Sequence, residues 1–416
     1  MSTHDPREVI EDIRGHLAAH DRRLAFLFGA GTSSSVNVAP EPSPGEKQQH
    51  QPLIPAIDGL TEICSTAVSG LGQCQASAWE MLVKQCEQDG RPSNVENVLS
   101  KVRMKIDAIG DGESLVGLDR EQLSGIESAI CSAIANAASP DEGSIPDRTP
   151  HDDFADWVKK VNRTAPLEVF TTNYDLLFER AFESSRVPVF DGFVGTYRPF
   201  FYPECFDDDG LLPTSKWVRT WKLHGSVNWG LEDRPRGKRI VRRCHPSEKG
   251  EMILPSHRKY DESRKQPYVA YMDRLSRLLN GEHALLLTCG YSFGDEHINA
   301  ILYGALDNRS TANIIALQFN DLNESDALVG AAVRRSNLTV VGPNGGVISG
   351  TWGAWQLTQP VDSKTCSFMD AAFDSKGLPE DTGSPAAASA DLEGRMRLGD
   401  FNWFCQFLNA MGPGSR

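Results

Sequence analysis

Asn173 and Asp175 stand where the sequence changes character, at a place where an amide and a carboxylate could act on a bound reactant. The segment LEVFTTNYDLLFERAF (167–182) opens as a buried strand and closes as an amphipathic helix, with both residues at the junction. A fixed amide can orient a reactant, and preorganised polar groups can stabilise charge that develops during a reaction. Asx residues are also favoured at turns and N-caps, so Asp175 could simply cap the helix.

His224 supplies a group that can accept a proton near neutral pH. It lies in WKLHG (221–225), at the end of a predicted strand. A lone histidine at a strand end is often a hydrogen-bonded structural residue, so the imidazole alone decides nothing.

A glycine turn, GAGTSSS (29–35), follows the short apolar run LAFLF (24–28). Gly29 and Gly31 allow a tight turn, and Thr32 and Ser33 could cap the next helix, which leaves free N–H groups aimed at an anion. A pyrophosphate would fit there. The pattern is G-x-G-x-x-Ser rather than the full dinucleotide fingerprint, so a plain strand-to-helix turn is the alternative.

Three other stretches give weaker indications of chemistry. GYSFG (290–294) matches the nucleophile elbow G-x-S-x-G, but its triad needs a histidine well downstream, and His297 is the only one after Ser292. Chain order therefore excludes that hydrolase. His151, Asp152 and Asp153 are metal-ligand types, yet they precede FADWV as a helix start would, and we predict no metal site. The basic run at 234–243 is typical of a solvated surface loop.

Short, nearly continuous apolar runs predict strands covered on both faces, separated by helical stretches. This pattern indicates an α/β fold with a doubly wound, Rossmann-like parallel sheet, in which ligands bind beyond the carboxyl ends of the strands. Four stretches directly follow such strand ends: GAGTSSS (29–35), TTNYD (171–175), KLHGS (222–226) and GYSFGD (290–295). The predicted strands lie at 24–28, 167–172, 221–225, 284–290, 313–319 and 338–342.

At 416 residues the chain is too long for one compact core, so insertions are expected. We predict a main domain over 1–360, which carries a helical insertion at about 58–140 and a small second lobe at about 196–280. The proline-rich stretch at 39–52 reads as a mobile loop. A linker at 361–395 and a C-terminal helix at 396–416 complete the chain.

Composition excludes several classes of protein. Forty-two basic and 56 acidic residues give a formal charge of -14, which opposes direct nucleic-acid binding. No apolar run approaches the length of a membrane span. Nine cysteines without a C-x-x-C pair indicate reduced thiols, and we expect a cytoplasmic location.

Taken together and in order, GAGTS, TTNYD, KLHG and GYS resemble the sirtuin family. Within it the chain is most similar to the bacterial antiviral-defence sirtuins, which cleave NAD+ itself. The resemblance spans about residues 20–345, and the stretches of similar character are LIPAIDGL (53–60), NVENVLS (94–100), MILPSHRKYDESRKQPY (252–268) and GYSFGDEHIN (290–299).

The resemblance implies a role for individual residues. The turn 29–33 would hold the pyrophosphate, 290–292 would lie against the adenine-side ribose or phosphate, and Asn320 would approach the adenosine ribose. Asn173 and Asp175 would face the nicotinamide ribose, with His224 as general base. The expected NAD+-binding set is Gly29, Ala30, Gly31, Thr32, Ser33, Thr172, Gly290, Tyr291, Ser292 and Asn320, and the expected catalytic set is Asn173, His224 and Asp175.

Two departures from deacylating sirtuins favour NAD+ hydrolysis. Those enzymes hold zinc on two C-x-x-C pairs after the H-G motif, whereas residues 226–283 contain only Cys244, so we expect no zinc and a zinc-free small lobe. Their T-Q-N-x-D is TTNYD here, with Thr172 in place of glutamine. We therefore expect an NAD+ glycohydrolase, with a protein-lysine deacylase and a non-catalytic NAD or ADP-ribose sensor as the alternatives.

The resemblance also implies assembly with partners. Defence sirtuins often act in complexes, so homo-oligomerisation and a partner such as a HerA-type ATPase ring or a nucleic-acid-guided effector are expected. The helical insertion and the C-terminal helix are the predicted contact surfaces. We expect no membrane partner.

Overall fold

A ten-stranded sheet forms the centre of the chain in a computed structural model, which describes residues 2–40, 49–234, 237–245, 251–252, 266–358, 367–375 and 394–411. The strands, in chain order, are Thr3–His4 (β1), Arg23–Phe28 (β2), Glu168–Thr171 (β3), Val189–Phe190 (β4), Phe193–Val194 (β5), Phe200–Phe201 (β6), Val218–Lys222 (β7), Gly225–Ser226 (β8), Trp229–Arg234 (β9), Gly237–Arg242 (β10), Glu251–Met252 (β11), Ala284–Cys289 (β12), Asn313–Leu317 (β13), Leu338–Val341 (β14), Gly345–Ile348 (β15), Thr351–Trp355 (β16), Phe373–Ser375 (β17) and Gly394–Met396 (β18).

Helices connect most of the sheet strands and cover both faces of the sheet. They are Pro6–Ala18 (α1), Ala30–Ser34 (α2), Ile57–Ser69 (α3), Gln73–Gln88 (α4), Val95–Ala108 (α5), Arg120–Ala137 (α6), Pro150–Lys160 (α7), Leu177–Ser184 (α8), Tyr268–Leu279 (α9), Glu296–Asn308 (α10), Ala327–Val333 (α11), Ser367–Ala372 (α12) and Phe401–Ala410 (α13).

The inner strands of the sheet are parallel and run in the order β14–β13–β12–β2–β3–β7. This parallel part of the sheet starts at β2, continues outward through β3 to β7, and then returns to the other side of β2 to add β12, β13 and β14. This is the strand order of a doubly wound dinucleotide-binding fold, with its topological switch point between β2 and β12. The predicted fold class is confirmed.

Alternation along β2 explains why both sheet faces need a cover. Phe26 and Phe28 belong to a core with α1, α7, α8 and α13, whereas Ala25 and Leu27 belong to a second core with α9, α10 and α11. All four side chains are fully buried. Because successive side chains of a strand point to opposite faces, a strand buried on both faces reads as an uninterrupted apolar run.

The region predicted as a helical insertion contains α3 to α6, which share a separate apolar core. Buried residues from each helix meet there, among them Val68, Leu82, Val102 and Ile130. Tyr174, which follows β3, packs its half-buried ring against the same core. The domain boundaries themselves stay predictions.

A small sheet, β5–β6–β10–β9, lies within the predicted second lobe. The basic run 234–243 falls largely on β10, so the loop expected there is wrong and the segment is the second arm of a hairpin with β9. Residues 235–236 of that run lie outside the described residues.

The C-terminal helix α13 packs its apolar face onto the chain's own sheet, and its role as a contact surface for partners stays a prediction. Phe401, Phe404, Phe407 and Leu408 are buried in the core formed with β2 and α7. Its apolar face is therefore already covered. Of the predicted linker, 361–366 and 376–393 lie outside the described residues, as do 41–48 of the predicted loop.

His151 lies in the first turn of α7, which confirms the predicted helix start. Asp152 closes a capping box with Thr149, and the ring of His151 is fully buried between Phe178 and Phe401, with centroids 4.5 and 5.2 Å away. Neither ring nitrogen has a hydrogen-bond partner among the described residues. Burial lowers the pKa of His151 to about 4, although the nearby carboxylates of Asp175 and Asp152 oppose this shift.

This histidine makes stability depend on pH. In the unfolded chain the ring takes up a proton near its usual pKa of 6.5, whereas in the folded chain it stays neutral until about pH 4. Acidification through that window therefore favours unfolding, and the free energy of unfolding should fall by roughly 3 kcal/mol from this residue alone. Denaturant titrations at pH 7.5 and pH 4.5 measure the difference.

The variant His151→Phe should reduce that difference, because the phenylalanine ring keeps the aromatic contacts and takes up no proton. The same change at exposed His245 should leave the pH dependence as in the wild type. An undiminished pH dependence in His151→Phe would contradict the assignment.

Candidate functional site

The carboxyl ends of β12, β2, β3 and β7 stop at one level of the sheet. Phe28 pairs with Cys289 on one side and Thr171 on the other, and Thr171 pairs with Lys222. The four predicted motifs therefore lie at these strand ends, along the same edge of the sheet. This edge includes the switch point, where doubly wound folds bind ligands.

Three glycines let the first and last of these turns touch. Gly31 N donates a hydrogen bond to Gly290 O at 3.0 Å. A Cβ at Gly29 would lie 2.4 Å from Gly290 O, and one at Gly31 would lie 2.6 Å from Gly290 Cα. Gly290 has a φ of +66°, which side chains rarely adopt. The close backbone approach at the switch point thus requires glycine on both sides.

The helix after the glycine turn starts earlier than the sequence suggested. Gly29 is the N-cap of α2, so Thr32 and Ser33 lie inside the helix and the expectation that they cap it is wrong. The Thr32 hydroxyl instead donates to Gly29 O at 2.9 Å. The Ser33 hydroxyl donates to Asp175 Oδ2 at 2.6 Å.

Asn173 is tied to the same helix by its amide nitrogen. Nδ2 donates to Thr32 Oγ1 at 3.0 Å and to Ser33 Oγ at 2.7 Å, which fixes the amide plane. Its oxygen, Oδ1, is buried and has no hydrogen-bond partner among the described residues. Since buried polar atoms are nearly always hydrogen-bonded, an oriented acceptor without a partner indicates a place for a ligand hydroxyl or a water.

Asp175 accepts one hydrogen bond on each of its two carboxylate oxygens. Oδ1 accepts from Leu177 N at 3.1 Å at the start of α8, as a capping residue would, while Oδ2 accepts from Ser33. The carboxylate therefore joins α8 to α2. Buried Lys222 donates to the backbone oxygen of Asp175 and, at 3.1 Å, to Glu179 Oε1, and so holds this segment against β7.

His224 lies two residues beyond the pair Thr171–Lys222, as Asn173 does on the neighbouring strand. Its ring is buried, and the centroid lies 6.5 Å from that of Tyr174. Nε2 lies 3.0 Å from Asp295 Oδ2, in the segment after β12. This contact connects the third and fourth motifs directly.

The remaining predicted residues are held mainly by hydrogen bonds to the backbone or to neighbouring side chains. Thr172 N donates to Phe28 O at 3.1 Å, and Tyr291 is buried with its hydroxyl donating to Asn299 at 3.0 Å. Gln318, two residues before Asn320, donates to Tyr291 O at 3.2 Å. The predicted residues with exposed side chains or backbone are Ala30, Gly31, Ser292 and Asn320.

Within the described residues, no group of three or more histidine, cysteine, aspartate and glutamate side chains is arranged to hold a metal ion. Residues 246–250 and 253–265 of the small lobe lie outside that description, so the zinc-free lobe stays a prediction. Among the helices of the described ranges, none has the length and apolarity needed to cross a membrane.

The strands and motifs from β3 to β14 can be compared with known families. Residues 167–338 match the family model of the SIR2-like domain. The match supports a sirtuin-like family, and SIR2-like domains use NAD+, so it indicates NAD-dependent activity in general terms. No curated protein matches the chain. The glycine turn precedes the matched range, and its place in the site rests on the contacts with Gly290.

Asp295 and Lys222 lie within the matched range, and the sequence alone assigned neither of them a role. Asp295 stood in the quoted stretch GYSFGDEHIN, directly before a predicted helix, where an aspartate reads as an N-cap. Lys222 is the strand residue before His224, and a buried lysine cannot be recognised from an apolar run. Neither contact has a local signal, since the partners lie 71 and 43 residues away in the sequence.

Proposed function

We propose that the chain is an NAD+ glycohydrolase, which converts NAD+ and water into nicotinamide and ADP-ribose. The observation that supports this most is the buried Asn173 Oδ1, an acceptor fixed by two hydroxyls and lacking a protein partner among the described residues. It stands at the switch-point edge, where a dinucleotide would bind.

For this reaction the protein must mainly orient the reactants and stabilise the developing positive charge. Cleavage breaks the bond between the nicotinamide nitrogen and ribose C1′, and the electron pair leaves with a ring that is already cationic. The ribose develops oxocarbenium character, as in glycoside cleavage, and no acid is needed for the leaving group. A water oxygen then bonds to C1′ and releases a proton.

Each site residue fits one part of this reaction. Asn173 would orient the water or the ribose through Oδ1, and Asp175, held by Ser33 and the α8 amide, would place negative charge near the developing cation. His224 would accept the proton from water or from a ribose hydroxyl. The glycine turn at 29–31 would accept the pyrophosphate close to the backbone.

Product analysis tests the proposal. Purified protein incubated with NAD+ and no peptide should release nicotinamide and ADP-ribose in equal amounts, measured by chromatography and mass spectrometry. His224→Ala should abolish the release, whereas the same change at exposed His245 should not. Nicotinamide release that occurs only with an acylated peptide would favour the deacylase, and calorimetric NAD+ binding without turnover under every activating condition would favour the sensor.

We also propose that the activity serves antiphage defence by depleting NAD+ and is held off until a partner or self-assembly releases it. An unregulated hydrolase of NAD+ would be lethal to its own cell. The assay is therefore run with and without the protein encoded by the neighbouring gene. A sample that contains only monomers by mass photometry at micromolar concentration would count against self-assembly. The helices α3–α6 form the surface proposed for contact with a partner.

A further inference from the structure

Asp295 uses its two carboxylate oxygens on two different elements. Oδ1 accepts from His297 N at 2.9 Å and from Ile298 N at 3.2 Å, which caps α10. Oδ2 lies 3.0 Å from Nε2 of His224, at the end of β7. Both side chains are about nine-tenths buried, with 6% of Asp295 and 10% of His224 exposed.

We propose that Asp295 is a positioning residue for His224, which fixes the tautomer and the orientation of the imidazole used in NAD+ cleavage. The catalytic part of this inference rests on the proposed function. The structural part, that Asp295 selects one neutral form of the ring, does not.

The selection follows from the hydrogen-bonding capacity of a carboxylate. A carboxylate only accepts hydrogen bonds, so the contact with Asp295 requires a proton on Nε2. The neutral ring therefore has its lone pair on Nδ1. When the ring accepts a proton, the carboxylate also stabilises the imidazolium, as the aspartate of a hydrolase triad does for its histidine.

A helix cap by itself does not account for this arrangement. Capping needs one acceptor oxygen, which serine, threonine or asparagine supplies as well as aspartate does. The second oxygen of Asp295 is directed at the one histidine of the site, and its first oxygen is held by two backbone N–H groups of α10. The capped helix thus gives the carboxylate a fixed position from which to hold the ring.

Asp295→Asn separates capping from positioning. The amide oxygen can still cap α10, and this places the amide NH2 against His224 in place of Oδ2. The amide donates, so Nε2 must become the acceptor and the ring changes to the Nδ1–H form. We expect nicotinamide release to fall about 100-fold, with the midpoint of thermal unfolding nearly unchanged.

The tautomer can be read directly in the resting protein. Long-range 1H–15N spectra of protein labelled at histidine nitrogen distinguish the two neutral forms, and the His224 signals are those that disappear in His224→Gln. The wild type should show Nε2–H, and Asp295→Asn should show Nδ1–H. A wild-type ring in the Nδ1–H form, or one whose tautomer does not respond to Asp295→Asn, would overturn the proposal.

Asp119→Asn is the matched control. Asp119 caps α6 through its hydrogen bond from Gln122 N at 2.8 Å, so the same chemical change occurs at the start of a different helix. It should leave both the rate and the His224 spectrum as in the wild type. If the wild type releases no nicotinamide under every activating condition but shows the expected tautomers, the proposed function fails while Asp295 still positions the ring. Full activity in Asp295→Asn would refute its catalytic importance.

Discussion

Asn173→Ala is expected to lower the rate of nicotinamide release by about 1,000-fold while the protein stays folded. The substitution removes the partnerless acceptor Oδ1 and the two hydrogen bonds to Thr32 and Ser33. Loss of one preorganised polar group that acts in the transition state typically costs 100- to 1,000-fold, and Asn173 also holds the hydroxyls beside Asp175 in place. A factor of 1,000 corresponds to about 4 kcal/mol of transition-state stabilisation.

The measurement is the single-turnover rate with the enzyme in saturating excess over NAD+, because binding and chemistry are then separated. Asn173→Asp should fail as well, since a second carboxylate cannot donate to the hydroxyls and would stand close to Asp175. Asn337 provides the control. Its amide donates to three backbone oxygens, those of Leu306, Arg309 and Ala312. Asn337→Ala should reduce stability and leave the rate per folded molecule unchanged, and a wild-type rate in Asn173→Ala would remove this residue from the mechanism.

Gly290→Ala is expected to lower the free energy of unfolding by roughly 2–5 kcal/mol, which combines two effects. The φ of +66° is strained for any residue with a Cβ, at about 1–2 kcal/mol. The added Cβ would also lie 2.6 Å from Thr32 N and 2.9 Å from Gly31 Cα, and these backbone atoms cannot rotate away. Overpacking of this kind adds about 1–3 kcal/mol. Urea titration measures the sum.

Gly90→Ala isolates the collision from the backbone strain. Gly90 has a φ of +69°, nearly that of Gly290, but a Cβ there would meet nothing within 4 Å. It should cost only about 1–2 kcal/mol. Equal losses in the two variants would mean that the turns at 29–31 and 290 do not press on each other. We also expect Gly290→Ala to lose activity, because the displaced helix start carries the hydroxyls that hold Asn173.

The parallel strands were predictable because burial on both faces leaves a local signal, an apolar run of five or six residues before a turn. ALLLTC and NIIAL are almost entirely apolar, and their predicted positions agree with β12 and β13 to within two residues. The common edge followed from topology alone, since parallel strands of one sheet end on the same side. The places of Asn173 and His224 along that edge therefore needed no knowledge of their contacts.

The antiparallel edge of the sheet was not predicted, although a local signal for it existed. Ser349 and Gly350 form a two-residue turn with φ of 50° and 81° between β15 and β16. Such positive values are typical of tight hairpins, and the dipeptide Ser-Gly marks them. The glycine-rich strand GGVI has too few apolar residues to be predicted as a buried strand, so the sequence does not predict the hairpin.

Side-chain partners were the part that sequence could not supply. Ser33 and Asp175 are 142 residues apart, and His224 and Asp295 are 71 apart, so their meeting depends on strand order and register rather than on local spacing. The helix α13 shows the same limit. Its apolar face is covered by a core that includes Phe28 and Phe154, which lie more than 200 residues earlier, so local spacing could not predict this packing.

Tyr174 connects the proposed reaction centre with the core of α3–α6. Its backbone joins Asn173 to Asp175, its oxygen accepts from Val227 N at 3.0 Å, and its ring is seated on the core of α3–α6. A protein that binds and rearranges those helices must either break the packing of the Tyr174 ring or move the ring with them. In the second case the displacement passes within one peptide unit to Asn173, whose amide is proposed to face the ribose, so a protein bound at those helices could alter the proposed reaction rate.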